Sequence, residues 1–190
     1  KDFGGICFSP DGRQILLGIR SSERLQYGCR LYDSTTRKLL LSSPESAASS
    51  VLFSPDGQWL VVHNGETIKI HQASSGKERL KLAEAAEVWP VAISADSRRL
   101  ATTQHIWDLA TGKIATDLKP GVGNIGSFSP DGSRLATIGS QGIDLWDTAS
   151  GQRTFTLRGF AEGPRALQFT PDGHRIITIA DTVKIWDAAP

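Results

Sequence analysis

The 190-residue chain has no methionine, only two cysteines and two tyrosines, and no excess of either charge: 21 Lys and Arg stand against 20 Asp and Glu, a formal net charge of +1. Each shortage excludes something. Binding to a phosphate backbone rests on many Lys and Arg neutralising phosphates together; a balanced chain without a basic cluster supplies no such field, so nucleic acid is not expected as a partner. The longest apolar run, Ile15-Leu16-Leu17-Gly18-Ile19, is far short of the roughly 20 residues that span a bilayer, so no membrane association is expected. Cys7 and Cys29 have neither metal-ligand nor redox spacing, and two cysteines make no disulfide framework. Both are expected to be buried thiols. The chain opens on Lys1-Asp2 and carries no signal-peptide pattern, so it is expected to be a fragment or a processed chain, its compartment open with the cytoplasm favoured.

What the chain does have is a repeat. With 39% hydrophobic residues it can bury a core of ordinary size, and fixed-period self-similarity organises it. Phe8-Ser-Pro-Asp-Gly12, Phe53-Ser-Pro-Asp-Gly57, Phe128-Ser-Pro-Asp-Gly132 and Phe169-Thr-Pro-Asp-Gly173 are near copies, and Ile93-Ser-Ala-Asp-Ser97 is a degraded fifth. Their leading residues lie 45, 40, 35 and 41 residues apart. A second series follows in register: Leu31-Tyr-Asp33, Ile70-His-Gln72, Ile106-Trp-Asp108, Leu145-Trp-Asp147 and Ile185-Trp-Asp187.

The chemistry of each piece explains its recurrence. In Ser-Pro-Asp-Gly, proline presets φ, aspartate accepts hydrogen bonds from turn amides and glycine takes the left-handed position. Asp11, Gly12, Asp56, Gly57, Asp131, Gly132, Asp172 and Gly173 are therefore assigned to a hairpin turn, and Asp108, Asp147 and Asp187, like Asp33, to capping a second turn after the third strand. β-rich runs flank the first turn, and Ile68, Ile70, Ile143, Leu145, Val183 and Ile185 alternate with polar or aromatic neighbours. Four antiparallel strands per unit of about 40 residues is the layout of a β-propeller blade. An all-β β-propeller is predicted, with four complete blades plus three strands of a fifth. The repeat units are approximately 1–45, 46–85, 86–120, 121–160 and 161–190 of a single 1–190 domain.

These paired signals resemble the WD-repeat β-propeller family in its bacterial SPDG form, over essentially the whole chain. Three units carry a literal Trp-Asp (Trp107-Asp108, Trp146-Asp147, Trp186-Asp187), whereas the first has Tyr32-Asp33 and the second His71-Gln72. The Gly-His pair common at the start of family repeats is missing throughout. Nineteen strands do not close a ring, so part of a larger propeller, or an incompletely closed one, is expected. The unpaired last edge leaves self-association or further blades open.

Candidate chemistry is sparse. Gly121-Val-Gly-Asn-Ile-Gly126 matches a dinucleotide-binding pattern, but Ser127-Phe-Ser-Pro-Asp follows where a helix is required, so no cofactor is expected. His63, His71, His105 and His174 are scattered without zinc spacing, so no metal is expected, and no catalytic residue is assigned. Arg13, Arg98, Arg99, Arg134 and Arg175, just beyond the first hairpins, are read as a solvated rim.

Two glycine turns fall at one end of every unit, and the more variable connections fall at the other. Between first turn and third-strand end the spans are 22, 16, 12, 16 and 15 residues. The first unit therefore carries an insertion around Arg20–Tyr27. Binding residues concentrate on loops held by a rigid scaffold, and Trp and Arg are enriched in interface hot spots. Trp89 and Arg165, at the starts of first strands around an expected channel mouth, and Tyr27, Arg20, Arg24, Arg158 and Phe160 on neighbouring loops, are the candidate partner-binding residues. The family resemblance implies a non-catalytic protein-interaction scaffold for a protein or peptide partner. The alternative it implies is a propeller that gates or supports a hydrolase domain, or binds a ligand in its channel.

Overall fold

A computed structural model describes residues 2–21, 26–43, 50–82, 88–119, 122–123, 125–161 and 163–188. Among them, nineteen strands form five antiparallel sheets and no helix occurs. The first sheet holds β1 (Asp2–Phe8), β2 (Gln14–Ser21), β3 (Gln26–Asp33) and β4 (Leu39–Ser43). The second holds β5 (Ser50–Phe53), β6 (Trp59–His63), β7 (Ile68–Gln72) and β8 (Glu78–Leu82). The third holds β9 (Pro90–Ile93), β10 (Arg99–Thr102), β11 (His105–Asp108) and β12 (Lys113–Asp117). The fourth holds β13 (Gly126–Phe128), β14 (Arg134–Gly139), β15 (Gly142–Asp147) and β16 (Arg153–Leu157). The last has three strands, β17 (Ala166–Phe169), β18 (Arg175–Ile179) and β19 (Val183–Asp187). Each sheet is a meander in chain order, the pattern of a propeller blade. The chain divides into two compact units, Lys1–Pro90 and Val91–Pro190.

A shared lock makes the first turns. Ser9 Oγ donates to Asp11 at 2.6 Å and accepts the Gln14 amide at 2.9 Å, while the Gly12 amide donates to the Ser9 carbonyl. Ser54–Asp56, Ser94–Asp96, Ser129–Asp131 and Thr170–Asp172 repeat the hydroxyl–carboxylate bond at 2.5 to 2.6 Å. Gly12, Gly57, Gly132 and Gly173 all sit near φ +70°, where a Cβ is strained. Ser97 occupies the same left-handed position at φ 59° in the degraded copy, so the hydroxyl–carboxylate lock holds the turn without glycine. A register shift recurs between third and fourth strands at Leu31/Tyr32, Ile70/His71, Ile106/Trp107 and Leu145/Trp146. Such bulges add local twist.

Cores form between neighbouring sheets. In the first unit Leu16, Cys29 and Leu31 pack with Val51, Leu60 and Ala73. In the second, Ala101 and Ile106 pack with Phe128, Leu135 and Trp146, and Ala136, Ile143 and Leu145 pack with Leu167, Phe169 and Ile176. Each fully buried Leu or Ile stabilises the fold by about 1.5–3 kcal/mol. Cys29 is buried and Cys7 packs against the first core as a free thiol, which burial pushes up to about 12.

Two expectations are corrected. The insertion of the first repeat is strand at both its described ends: β2 and β3 stay in register from Gln14↔Asp33 to Ser21↔Gln26, so these residues lengthen the hairpin, and 22–25 lie outside the described residues. The arginines are not all a solvated rim. Arg99 and Arg134 are half-buried and reach the next sheet, whereas Arg13, Arg98 and Arg175 are exposed. Arg99 Nη2 donates to the Gly132 carbonyl at 2.9 Å and Arg134 Nη2 to the Gly173 carbonyl at 2.9 Å; Arg134 Nη1 also donates to the Ala188 carbonyl. Each guanidinium lies over the phenylalanine ring of the sheet it reaches, at 5.6 Å from Phe128 and 5.4 Å from Phe169. The first-turn glycine carbonyl is thus an acceptor for the preceding sheet, and at Gly132 it accepts the Thr148 hydroxyl of its own sheet at 2.7 Å as well.

Candidate functional site

In each meander, the first and third connections lie at one end and the second at the other. The turn end is chemically occupied. Asp33, Asp108 and Asp147 accept bonds from the amides and hydroxyls of Thr36, Thr111 and Ser150, which hold their carboxyls below the ordinary 3.8. Asp11, Asp96 and Asp172 are lowered likewise, first by the hydroxyls of Ser9, Ser94 and Thr170. Asp131 falls to about 2, because the Ser129 hydroxyl and then the Ser133 amide and hydroxyl all donate to it. Asp56 accepts the Gln58 amide at 3.0 Å. The residues that would complete a second turn after Asp187 begin at 189, outside the described residues. A cleft of about 440 Å³ at this end of the first unit is lined by Ser9, Pro10, Asp11, Arg13, Asp33 and Asp56 among others. Its carboxylates are committed to turn bonds.

The opposite end differs. In the first unit, Trp89 is half-buried with its ring edge-to-face on His63, 4.5 Å between centroids. His63 is buried, its Nδ1 has no hydrogen-bond partner, and burial lowers its affinity for a proton. Arg20 and Tyr27 stand opposite each other in the β2–β3 register, and Arg24 lies outside the described residues. In the second unit, Arg158 is exposed and lines a polar cleft of about 130 Å³ with Ser140, Gln141, Asp144, Arg153 and Thr156. Phe160 is half-buried, 5.1 Å from the Trp186 ring, and Lys184 lies over both rings while donating to the Gly159 carbonyl at 2.6 Å. Arg165 is exposed, and its amide donates to the Ile179 carbonyl at 2.7 Å, fixing the start of β17. Arg158 and Phe160 are thus set by β16 and the link that follows it, whereas Trp89 belongs to the other unit.

Residue reasoning missed Asp144. Its carboxylate is buried, accepts the Thr156 hydroxyl at 2.6 Å and pairs with Arg153 at 3.5 Å. The available signal was its register position, held by Lys69 and Lys184 in other sheets. The glycine pattern is structural where described: a Cβ on Gly123 would lie 1.6 Å from the Ile138 carbonyl oxygen, and Gly126 belongs to β13. His71 is buried with Nδ1 3.1 Å from the Gly76 carbonyl, His105 pairs with Asp117 at 3.6 Å, and His174 is exposed. Among the described residues no group of three or more His, Cys, Asp or Glu could hold a metal ion, and no helix is long and apolar enough to cross a membrane.

Beneath these ends the tryptophans are tied within their sheets. Trp146 Nε1 donates to Thr137 at 2.8 Å and Trp186 Nε1 to Thr178 at 2.9 Å, joining third strand to second without any histidine. The chain is 29% identical over 177 residues to an uncharacterized WD repeat-containing protein, sll1491, of Synechocystis sp., covering 91% of this chain and 40% of that protein. It is 30% identical over 112 residues to the WD repeat-containing protein SL1-17 of Schistosoma mansoni, covering 54% of this chain and 37% of that one. The resemblance is to WD-repeat proteins. No family model matches the chain. The five antiparallel sheets are consistent with the blades of WD-repeat β-propellers, and the chain spans about two fifths of the length of the curated relatives it matches.

Proposed function

We propose that this WD-repeat chain is a non-catalytic scaffold that docks a protein or peptide partner at the end of its sheets opposite the glycine turns. The observation that carries this reading is the contrast between the two ends. At the turn end, the aspartates of the repeat are consumed by local hydrogen bonds. At the other end of the second unit, exposed Arg158 borders a polar cleft, with Phe160 and exposed Arg165 on the link that follows β16. Arginine and aromatic side chains held by a rigid sheet are the types that anchor interfaces. In the first unit Trp89, Arg20, Tyr27 and Arg24 are assigned to the same role. The WD-repeat relatives support a scaffold in general terms.

The test is the affinity of a purified partner measured by calorimetry. Arg158→Ala with Arg165→Ala is expected to weaken binding about tenfold or more at an unchanged melting temperature, while Asp11→Asn at the turn end leaves affinity alone. Unchanged affinity in the double variant overturns the surface. Hydrolytic turnover by the isolated chain, abolished by one polar substitution, overturns the non-catalytic assignment.

A further inference from the structure

Two sheet-to-sheet interfaces of the second unit seat an arginine in the same way. The guanidinium comes from the residue that opens a second strand. It donates to the first-turn glycine carbonyl of the next sheet and covers that sheet's phenylalanine: Arg99 with Gly132 and Phe128, Arg134 with Gly173 and Phe169. Beneath this cover the two rings are 7% and 5% exposed. The receiving group is backbone, so the turn that fixes its direction also makes the seat.

Between the two sheets of the first unit the seat recurs without the arginine. Gly57 holds φ +71°, against +69° at Gly132 and +73° at Gly173. Pro10 Cδ lies 3.5 Å from the Cβ position of Gly57, as Pro130 Cδ lies 3.3 Å from that of Gly173. The Ala73 amide donates to the Gln58 carbonyl at 2.8 Å, as the Ala188 amide does to the His174 carbonyl. Yet β2 opens on Gln14, shorter and uncharged, and among the described residues no guanidinium reaches the Gly57 carbonyl. Phe53, the counterpart of Phe128 and Phe169, is accordingly half-buried. The cleft of about 440 Å³ lies at this place, lined by Gln14, Gly57 and the carboxylates of Asp11, Asp33 and Asp56. Arg13 is the one cation of the lining, so three negative charges against one leave two.

We propose that this cleft binds an arginine side chain presented by a partner polypeptide, its guanidinium donating to the Gly57 carbonyl and to the carboxylates of Asp11 and Asp33. The turn bonds of these two aspartates fall on Oδ1, which leaves Oδ2 of each to the ligand. The Ser9 hydroxyl on Asp11 and the Thr36 amide on Asp33 hold both carboxyls below the ordinary 3.8, so they stay ionised. Arginine is the occupant because its planar fork bonds a carbonyl and a carboxylate together, whereas the lysine ammonium is a strongly hydrated point charge. Arg99 and Arg134 show the same backbone seat accepting that group. The site stands at the turn end and is independent of the docking surface at the opposite end.

NMR titration of the full chain with the peptide acetyl-Gly-Arg-Gly-amide tests this. The expected result is saturable shifts of the Gln14, Gly57 and Gln58 amides with a Kd on the order of millimolar, and binding about tenfold weaker for the matching lysine peptide. Gln14→Arg fills the cleft from within, as Arg134 fills its own, and abolishes peptide binding. Asp11→Asn with Asp33→Asn keeps an acceptor oxygen in each turn, removes two charges and weakens binding about tenfold. Melting curves show which variants fold. Absence of saturable shifts, equal binding of the two peptides, or a folded Gln14→Arg chain that still binds overturns the site. Should Gln14→Arg not fold, the aspartate pair decides, and unchanged affinity there overturns it equally.

Discussion

The fourth and last sheets carry nearly the same side chains in the same register but live in different environments. Ile143 and Leu145 are 0% and 6% exposed, while their counterparts Val183 and Ile185 are mostly in solvent. Trp146 is fully buried and Trp186 half-buried, although both donate to a threonine of the neighbouring strand. Arg134 spans to the next sheet, and Arg175 does not. Strand formation therefore needs only the local code. Burial needs the following repeat, as expected where each unit is stabilised by its neighbours.

The largest break in this comparison comes from truncation. Leu145→Ala removes a side chain enclosed by Leu167, Phe169 and Ile176 and is expected to cost about 2–5 kcal/mol, whereas Ile185→Ala at the matching place costs within about 0.5 kcal/mol. Urea denaturation of both, at a concentration where the chain is a single copy, checks the pair. Equal losses would mean that the last sheet is covered in solution. Next come the arginines. Arg134→Ala loses two charge-assisted bonds to carbonyls and the contact with Phe169, an expected loss of about 1–2 kcal/mol after allowing for its partial exposure, and Arg175→Ala changes the same measurement little. The smallest difference is in the turns. The folded pKa of Asp131 lies near 2, below the ordinary 3.8, so its contribution to stability is present above 3.8 and is lost as pH falls toward 2. Asp172, with His174 where the fourth sheet has Ser133, has one hydroxyl donor fewer and is held down less. Carboxyl titration by NMR should place Asp131 below Asp172; the reverse order would show that the Ser133 hydroxyl does not act in solution.

Much of the fold was legible because the repeat code is local. Proline, aspartate and glycine in a row specify a turn from within five residues, and alternation in Ile143–Trp146 marks a strand without reference to anything distant. Even Ser97, which breaks the glycine rule, keeps the turn because Ser94 and Asp96 supply the lock. The first hairpin was less legible. Extra residues between two strands lengthen a loop or the strands themselves, and only pairing across Gly18↔Cys29 through Ser21↔Gln26 selects the second. The candidate site was legible as residue types, not as geometry. Arg158 and Phe160 were identifiable as loop residues near one another in sequence, yet the buried Asp144 at the base of the same cleft was not, since its partner Thr156 lies on another strand.

Sequence alone determined the strand count, the turn chemistry and the equivalence of the units, because each rests on dihedral preferences and alternation that a few adjacent residues settle. Tertiary structure alone decided which equivalent residues are buried and which arginines are bonded. Those depend on whether another sheet lies within contact distance, and Arg134 and Arg175 carry the same side chain into opposite answers.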